Sequence, residues 1–334
     1  MCKKIKIAAD ADIPFLRGRL EPFCEVRYLS QDEFTPANIA DADGLMIRTR
    51  TRCGRELLAG SNVKIIATAT IGMDQFDLPA CREMGIKAVN APGCNAPAVA
   101  QYVWSVILRA GVPEGSVIGI VGAGNVGSIV RDWGRKFGYR VLISDPPAAE
   151  EGRLGEPDVP LGELCRRSDV VTLHTPLTRS GVHPTYHLIG EAELAAMKDG
   201  ALLINAARGA VLDTRALIPH LESGRLHAAI DCWEGEPEID RDLLRLADTA
   251  TFHIAGYSAQ GKQRATRMAL CAISSFFGFE PDFSGLAGDY AEDPRLTPER
   301  VVESFDPAPV MDALRNAPER FDRLRAEYQY RDEP

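Results

Sequence analysis

Residues Val117–Val121 read VIGIV and run without a break into Gly122-Ala123-Gly124-Asn125-Val126-Gly127 and then a stretch of helical periodicity. A short run that is apolar at every position predicts a strand buried on both faces, as in the middle of a parallel sheet. The glycine spacing predicts a turn that cradles a dinucleotide. Gly122 permits the tight turn, Gly124 lets backbone approach a pyrophosphate, and Gly127 lets the following helix pack closely on the sheet. The start of that helix would present free N–H groups and the positive end of its dipole to the phosphates. The next predicted strand, Arg140–Ser144, ends at Asp145, followed by Pro146 and Pro147. A carboxylate there can accept hydrogen bonds from both ribose hydroxyls and would repel a 2′-phosphate, so the expected cofactor is NAD rather than NADP.

The same alternation of apolar strands and helical stretches extends over most of the chain. Further strands are predicted at Lys4–Ala8, Glu25–Leu29, Asp43–Arg48, Val63–Ala67 and Ala88–Asn90, with a helix near Ala80–Met84. After Val117–Val121 come Arg140–Ser144, Val170–His174, Ala201–Asn205 and Ala228–Asp231. The fold class expected is α/β, with two Rossmann-like doubly wound parallel-sheet domains and a short C-terminal appended segment. Residues 1–92 and 256–280 would form one domain, 93–255 the dinucleotide-binding domain, and 281–334 the appended segment. A helix over Leu270–Phe277 would return the chain to the first domain, and Ala317–Tyr328 would be a terminal helix. The apolar helix Ala96–Arg109 suits a core position or an interface about equally.

At 334 residues the chain is long enough for about two domains. Its net charge of −9 argues against a nucleic-acid partner. From Pro281 onward there are 13 acidic and 7 basic residues, which leaves 34 acidic and 31 basic over the rest. The body is therefore nearly balanced and can host an anion in a local basic pocket. No apolar run reaches the ~18 residues of a membrane span. The start MCKKIKIA has no h-region and reads as no signal peptide. The eight cysteines, from Cys2 to Cys271, form no Cys-x-x-Cys pair. Buried free thiols in a cytoplasmic protein are expected, with no metal site.

Three segments at or near strand ends carry candidate chemistry, where doubly wound folds place their ligands. Asn205-Ala206-Ala207-Arg208-Gly209 would present a guanidinium fork, able to pair with a carboxylate through two hydrogen bonds. Asp231-Cys232-Trp233-Glu234-Gly235-Glu236-Pro237 offers two carboxylates. Thr251-Phe252-His253-Ile254-Ala255-Gly256-Tyr257 offers a histidine. A histidine oriented by a carboxylate can exchange a proton with a hydroxyl near neutral pH. Hydride transfer to a nicotinamide needs such a base, together with a clamp on the rest of the substrate.

In order and spacing these motifs resemble the D-isomer-specific 2-hydroxyacid dehydrogenase family over roughly residues 1–280. The resemblance implies Arg208 on the substrate carboxylate, His253 as the acid/base and Glu236 as its partner. It implies cofactor contacts from Gly122, Gly124, Asn125, Val126, Gly127, Asp145, Thr175, Ala206, Ala207 and Gly256. Asp231 would hold the nicotinamide carboxamide. Further segments resemble the branch that oxidises a phosphorylated four-carbon acid on the way to pyridoxal phosphate: Ala67–Asp74, Ala91–Ala96, Asp145–Pro147, His253–Tyr257 and Glu319–Tyr328. By that likeness Thr49, Thr70 and Tyr257 contact substrate. Arg48 and Arg50 are candidates for its phosphate, with Arg52 beside them; solvated surface charge is the other reading of Arg50 and Arg52. The reaction implied is NAD-linked oxidation of 4-phospho-D-erythronate at its 2-hydroxyl, in a homodimer joined through the appended segment. Two alternatives lie within the family, oxidation of D-3-phosphoglycerate and reduction of glyoxylate or hydroxypyruvate. The one outside enzymes is an interaction protein that senses NAD.

Overall fold

The computed structural model describes residues 4–334, so Cys2 lies outside the described residues. The chain divides into two compact units, residues up to Asn95 with Ser258–Ala291, and Ala96–Tyr257 with Glu292–Pro334.

The first unit holds five parallel strands: β1 (Ile5–Asp10), β2 (Cys24–Leu29), β3 (Gly44–Ile47), β4 (Ile65–Thr68) and β5 (Lys87–Val89), in the order β2-β1-β3-β4-β5. Successive side chains of a strand face opposite sides. Ile7, Ala9, Met46, Ile65 and Ala67 therefore join one buried layer with Ala265, Ala269, Leu270 and Ile273 of the helix Ala259–Phe277. Ala8, Leu45 and Ile66 join the other layer with Ile39, Leu57 and Leu58. A Cβ on Gly44 would meet Ile7 Cδ1 at 3.1 Å and a Phe277 ring carbon at 3.2 Å, so a bare backbone lets the helix lie close to β3. The helix starts where the Ser258 hydroxyl accepts the Gly261 N–H at 2.9 Å and stops at Gly278, whose φ is +79°. Its first half, AQGKQRATRM, is polar. Apolar periodicity alone therefore shows only the last turns, Leu270–Phe277, and the helix begins earlier, at Ala259.

The second unit holds six parallel strands: β6 (Val117–Val121), β7 (Arg140–Ser144), β8 (Val170–Leu173), β9 (Leu202–Asn205), β10 (His227–Ile230) and β11 (Thr249–Ala250), in the order β11-β10-β9-β8-β6-β7. β6 has β7 on one side and β8 on the other, so the glycine loop leaves the sheet where the strand order reverses, the position at which open α/β sheets bind ligands. β11 is only two residues long, which leaves His253 on a loop beyond it.

The helix Ala96–Arg109 is buried continuously from Ala96 to Ile107. On one side the Trp104 indole N–H donates to the Val130 carbonyl at 3.0 Å. On the other, Ser105 donates to the Phe305 carbonyl at 2.7 Å, and the Gln101 amide donates to Ser304 Oγ and the Asp332 carbonyl, each at 2.9 Å. It is a core helix, covered by the C-terminal segment of its own chain.

That segment is more built than a single terminal helix. Helices Pro298–Ser304, Ala308–Asn316 and Phe321–Glu327 follow one another, the last preceded by a 3-10 turn at Pro318–Arg320. Each buries only one or two apolar residues, Val301, Val310 with Leu314, and Phe321, too few to register as periodicity. The segment also does not stand apart as one body. Residues before Glu292 group with the first unit and the remainder with the second. Six of the described cysteines are buried free thiols, but Cys271 is exposed, on the outer face of its helix.

Candidate active site

At the end of β6, Gly122 has a φ of +90°, a conformation that favours glycine, and a Cβ there would come within 3.0 Å of His174 backbone and of Thr175 Cγ2. A Cβ on Gly127 would lie 2.0 Å from the Gly122 carbonyl oxygen, so the helix Asn125–Lys136 can seat against the loop only with glycine there. Gly124 caps that helix and has nothing within 4 Å of a hypothetical Cβ, which leaves open space over the helix N-terminus. Beside the loop, Thr175 Oγ1 is buried without a hydrogen-bond partner. A buried hydroxyl in that state requires a ligand partner or bears a desolvation cost. Open backbone at a helix start, together with an unsatisfied hydroxyl, fits a dinucleotide.

The Asp145 carboxylate ties this region together. Oδ2 accepts the Ala123 N–H of the glycine loop at 2.7 Å and Oδ1 accepts the Ala148 N–H at 3.0 Å. Asp158, not singled out in the sequence, accepts the Asp145 N–H at 2.6 Å. Burial pushes the His174 imidazole down to about 3, so it is neutral and structural. It shares a hydrogen bond with Thr172 Oγ1 at 3.0 Å.

Three turns converge beyond β9, β10 and β11. Asn205, at the end of β9, is the hub. Its amide donates to the carbonyls of Arg208 (3.0 Å), Gly209 (3.3 Å) and Cys232 (3.3 Å), while its Oδ1 accepts the Ala207 N–H at 3.2 Å. A Cβ on Gly209 would lie 2.0 Å from Trp233 backbone carbon and oxygen, so the turn carrying Arg208 presses directly on the turn carrying Glu236. Arg208 Nη1 donates to the Ala207 carbonyl at 2.9 Å.

Asp231 is fully buried, and its carboxylate is engaged by the histidine loop. Oδ1 accepts the Thr251 hydroxyl (2.7 Å) and the Ile254 N–H (2.8 Å); Oδ2 accepts the Ala255 N–H (3.0 Å). The Asp231 carbonyl accepts the His253 N–H at 2.9 Å. Thr251 is fixed in turn, since Tyr102 donates to its hydroxyl at 3.0 Å and the Trp233 indole donates to its carbonyl at 2.7 Å. These bonds hold His253 at a φ of +58°, a backbone conformation that survives only when its surroundings over-determine it.

His253 Nδ1 and Glu236 Oε2 lie 2.8 Å apart. Glu236 Oε1 accepts the Trp233 N–H at 2.7 Å. Burial works to raise the Glu236 carboxyl, but the charge and hydrogen bond of His253, the Trp233 N–H and the charge of Arg325 outweigh it and leave it below the ordinary carboxylate range. Glu236 is therefore an ionised acceptor, His253 Nδ1 carries the shared proton, and Nε2 is left to accept another. Donor atoms of Cys232, Glu236 and His253 all lie within 4.8 Å of one another. Burial, with the Asp231 and Glu236 charges, holds the Cys232 thiol well above its ordinary value, so a metal there would have to displace both that proton and the His–Glu bond.

The first unit brings a separate group together at the carboxyl ends of β1, β3 and β4. Arg48 Nη1 donates to the Asp12 carbonyl at 3.3 Å and lies 3.7 Å from the Asp12 carboxylate. Burial raises the Asp10 carboxyl, while the Asp12 N–H and the charges of Arg48 and Arg50 oppose the shift. Thr49, Arg50 and Arg52 are exposed, and Thr51 between them is buried with an unpartnered hydroxyl. Thr70 Oγ1 shares a hydrogen bond with Thr68 Oγ1 at 2.7 Å. Acidic Asp10 and Asp12 beside these arginines were not anticipated, because the pairing depends on β1 and β3 being neighbours.

The C-terminal segment adds two arginines to the second unit's site. The Arg331 guanidinium donates to the carbonyls of Ile254 (3.0 Å), Tyr257 (3.1 Å), Ala98 (3.0 Å) and Ala255, and to Gln101 Oε1 (2.8 Å). Arg325 lies over the Tyr257 ring, its Cζ 5.6 Å from the centroid. Arg325 lies within the Glu319–Tyr328 segment that carries the family likeness, whereas nothing local singles out Arg331.

A strand-order switch with a glycine loop, and a His–Glu pair beside an arginine turn, define an NAD-dependent dehydrogenase. Residues 98–255 match the family profile of the D-isomer specific 2-hydroxyacid dehydrogenase NAD-binding domain. The chain belongs to the D-isomer-specific 2-hydroxyacid dehydrogenase family, and its cofactor is NAD. Within that family it is 43% identical to the erythronate-4-phosphate dehydrogenase of Bacteroides fragilis, over 98% of this chain and 97% of that one. Among solved structures, the NAD+-bound 3-phosphoglycerate dehydrogenase of Entamoeba histolytica superposes with a TM-score of 0.70 at 26% identity, covering 82% of this chain and 96% of its own. The D-lactate dehydrogenase of Aquifex aeolicus, solved with NAD and lactic acid, gives 0.68 at 25%, covering 81% of this chain and 95% of its own. Among the described residues no helix is long and apolar enough to cross a membrane.

Proposed function

We propose that this enzyme oxidises 4-phospho-D-erythronate at C2, giving (R)-3-hydroxy-2-oxo-4-phosphooxybutanoate. The observation that carries the proposal is the His253–Glu236 pair at 2.8 Å beside the Arg208 turn, in a chain whose relatives of similar length are erythronate-4-phosphate dehydrogenases. His253 Nε2 takes the proton of the 2-hydroxyl, and Glu236 stabilises the resulting imidazolium and fixes the ring. Arg208 offers two parallel N–H groups to the substrate carboxylate and draws charge from the forming carbonyl. Bound NAD supplies the hydride acceptor.

Gly122, Gly124, Asn125, Val126, Gly127, Asp145, Thr175, Ala206, Ala207 and Gly256 are the residues assigned to hold the cofactor. Asp231 serves chiefly as the anchor of the histidine loop. Arg48, Thr49, Arg50, Thr70 and Tyr257 are assigned to the substrate. The free thiols suit a reducing cytoplasm, and the working form assigned is a homodimer, checked by light scattering behind size exclusion.

The test is NAD reduction with 4-phospho-D-erythronate, D-3-phosphoglycerate and D-glycerate side by side, with a 2-oxo acid acceptor in a parallel set. Preference for the four-carbon phosphate supports the assignment; preference for 3-phosphoglycerate moves the substrate and leaves the chemistry intact. His253→Ala should abolish turnover while NAD still binds, and near wild-type activity in that variant would sink the mechanism.

A further inference from the structure

Arg325 sits on the helix Phe321–Glu327, which is pinned by the buried Phe321 ring and, further along the chain, by the Arg331 bonds to the loop of Ile254–Tyr257. Its guanidinium packs over the Tyr257 ring. Its charge is felt at Glu236 and Cys232. Its Nε is buried and has no hydrogen-bond partner. A buried donor left unpaired carries a desolvation cost, larger when it is charged. A group with that cost, next to a proton-transfer pair, is explained by an acceptor that arrives with the substrate.

The acceptor must be anionic to match the charge of a buried guanidinium. The proposed substrate has two anionic ends, and Arg208 is matched to the carboxylate next to C2. The other end is the phosphate. The lactate and 3-phosphoglycerate dehydrogenases are almost wholly covered within about four-fifths of this chain, leaving over a share the size of the segment after Glu280. The erythronate-4-phosphate dehydrogenase of B. fragilis matches 98% of it. A segment of that size is thus not needed for a 2-hydroxy carboxylate, nor for a phosphate on C3. What 4-phosphoerythronate adds is a phosphate one carbon farther from C2, which calls for a cation in a new place.

We propose that Arg325 is a substrate-binding residue, taking an oxygen of the C4 phosphate through its unpartnered Nε and making the C-terminal segment a specificity element of the site. The proposal rests on the substrate assigned above. A phosphate has three acceptor oxygens, so one bond to Arg325 leaves room for further donors.

The experiment compares wild type, Arg325→Gln and Arg325→Lys on 4-phospho-D-erythronate and on D-erythronate, with inorganic phosphate as inhibitor and NADH fluorescence as the check that each variant is folded. In Arg325→Gln the ratio of kcat/KM for phosphorylated over unphosphorylated substrate should fall at least thirtyfold, carried by KM. Inhibition by phosphate should weaken at least tenfold, and Lys should restore part of both. An unchanged ratio, whether from equal losses on both substrates or from no loss, overturns the proposal; equal losses would mean that Arg325 acts only through Glu236 and His253. If wild type does not favour the phosphorylated acid, the substrate assignment is what fails. Calorimetry of inorganic phosphate with the NAD-bound wild type and Arg325→Gln then decides the role of Arg325, and equal affinities overturn it.

Discussion

Replacing Asp231 by Asn separates two readings of this residue, an anchor for the histidine loop or a contact for the nicotinamide. The carboxylate accepts the Thr251 hydroxyl and two backbone N–H groups at 2.7–3.0 Å, with no exposure to solvent. An amide of the same shape keeps one acceptor oxygen. Whichever way it is turned, its NH2 faces a backbone N–H, of Ala255 in one orientation and of Ile254 in the other. One buried N–H is then stranded, at about 1–3 kcal/mol, and the remaining bonds fall from charge-assisted to neutral, at about 1 kcal/mol each. The sum is about 3–5 kcal/mol. The loop also loses what holds His253 at positive φ, a conformation that itself costs about 1–3 kcal/mol. We therefore expect kcat to fall about a hundredfold, equivalent to ~2.7 kcal/mol at the transition state. All three tryptophans, Trp104, Trp133 and Trp233, are buried in the second unit, so their fluorescence in urea reads this unit's unfolding. The anchor reading is refuted if Asp231→Asn unfolds within ~1 kcal/mol of wild type while its KM for NAD rises tenfold or more.

Arg331→Ala removes donors to four carbonyls and to Gln101; at ~1.5–3 kcal/mol for a hydrogen bond to a charged group, we expect at least 3 kcal/mol lost and trypsin cutting at Arg320, Arg323 or Arg325, sites that stay protected in wild type. Equal protection in both would show that the segment is held by its apolar residues alone. Gly124→Ala meets nothing within 4 Å and should leave apo stability within ~1 kcal/mol while weakening NAD binding at least tenfold, because the new methyl occupies the cradle. Gly209→Ala, whose Cβ would overlap Trp233 backbone at 2.0 Å, should fail to yield stable protein; normal unfolding midpoints would refute the packing described. His174 is depressed from 6.5 to about 3, so the unfolded chain takes up its proton first on acidification. Stability should fall below pH 6.5 and level off near pH 3, with about 3 kcal/mol lost by pH 4.5 from this group. In His174→Asn that share of the acid slope should vanish, and parallel urea midpoints against pH for the two proteins would count against it.

Local chemistry determined much of what this protein is. A wholly apolar pentapeptide such as Val117–Val121 can be stable only between other strands, and Gly127 meets a steric demand set by Gly122, within the same loop. Arg208, Glu236 and His253 were legible because each follows a strand end closely. Tertiary structure decided what depends on distant residues. Asp231 appears in the sequence as one more acidic residue of a motif; its burial under Thr251–Ala255 follows from β10 and β11 lying side by side. Asn205 became a hub because the β9 and β10 turns abut. Most of all, the likeness of Glu319–Tyr328 did not give Arg325 a role and nothing near Arg331 marks it, since short helices with one or two buried residues leave no period to read. Their place beside Tyr257 arises only when the C-terminal segment folds back over the helix Ala96–Arg109, and long-range packing of that kind has no local signature.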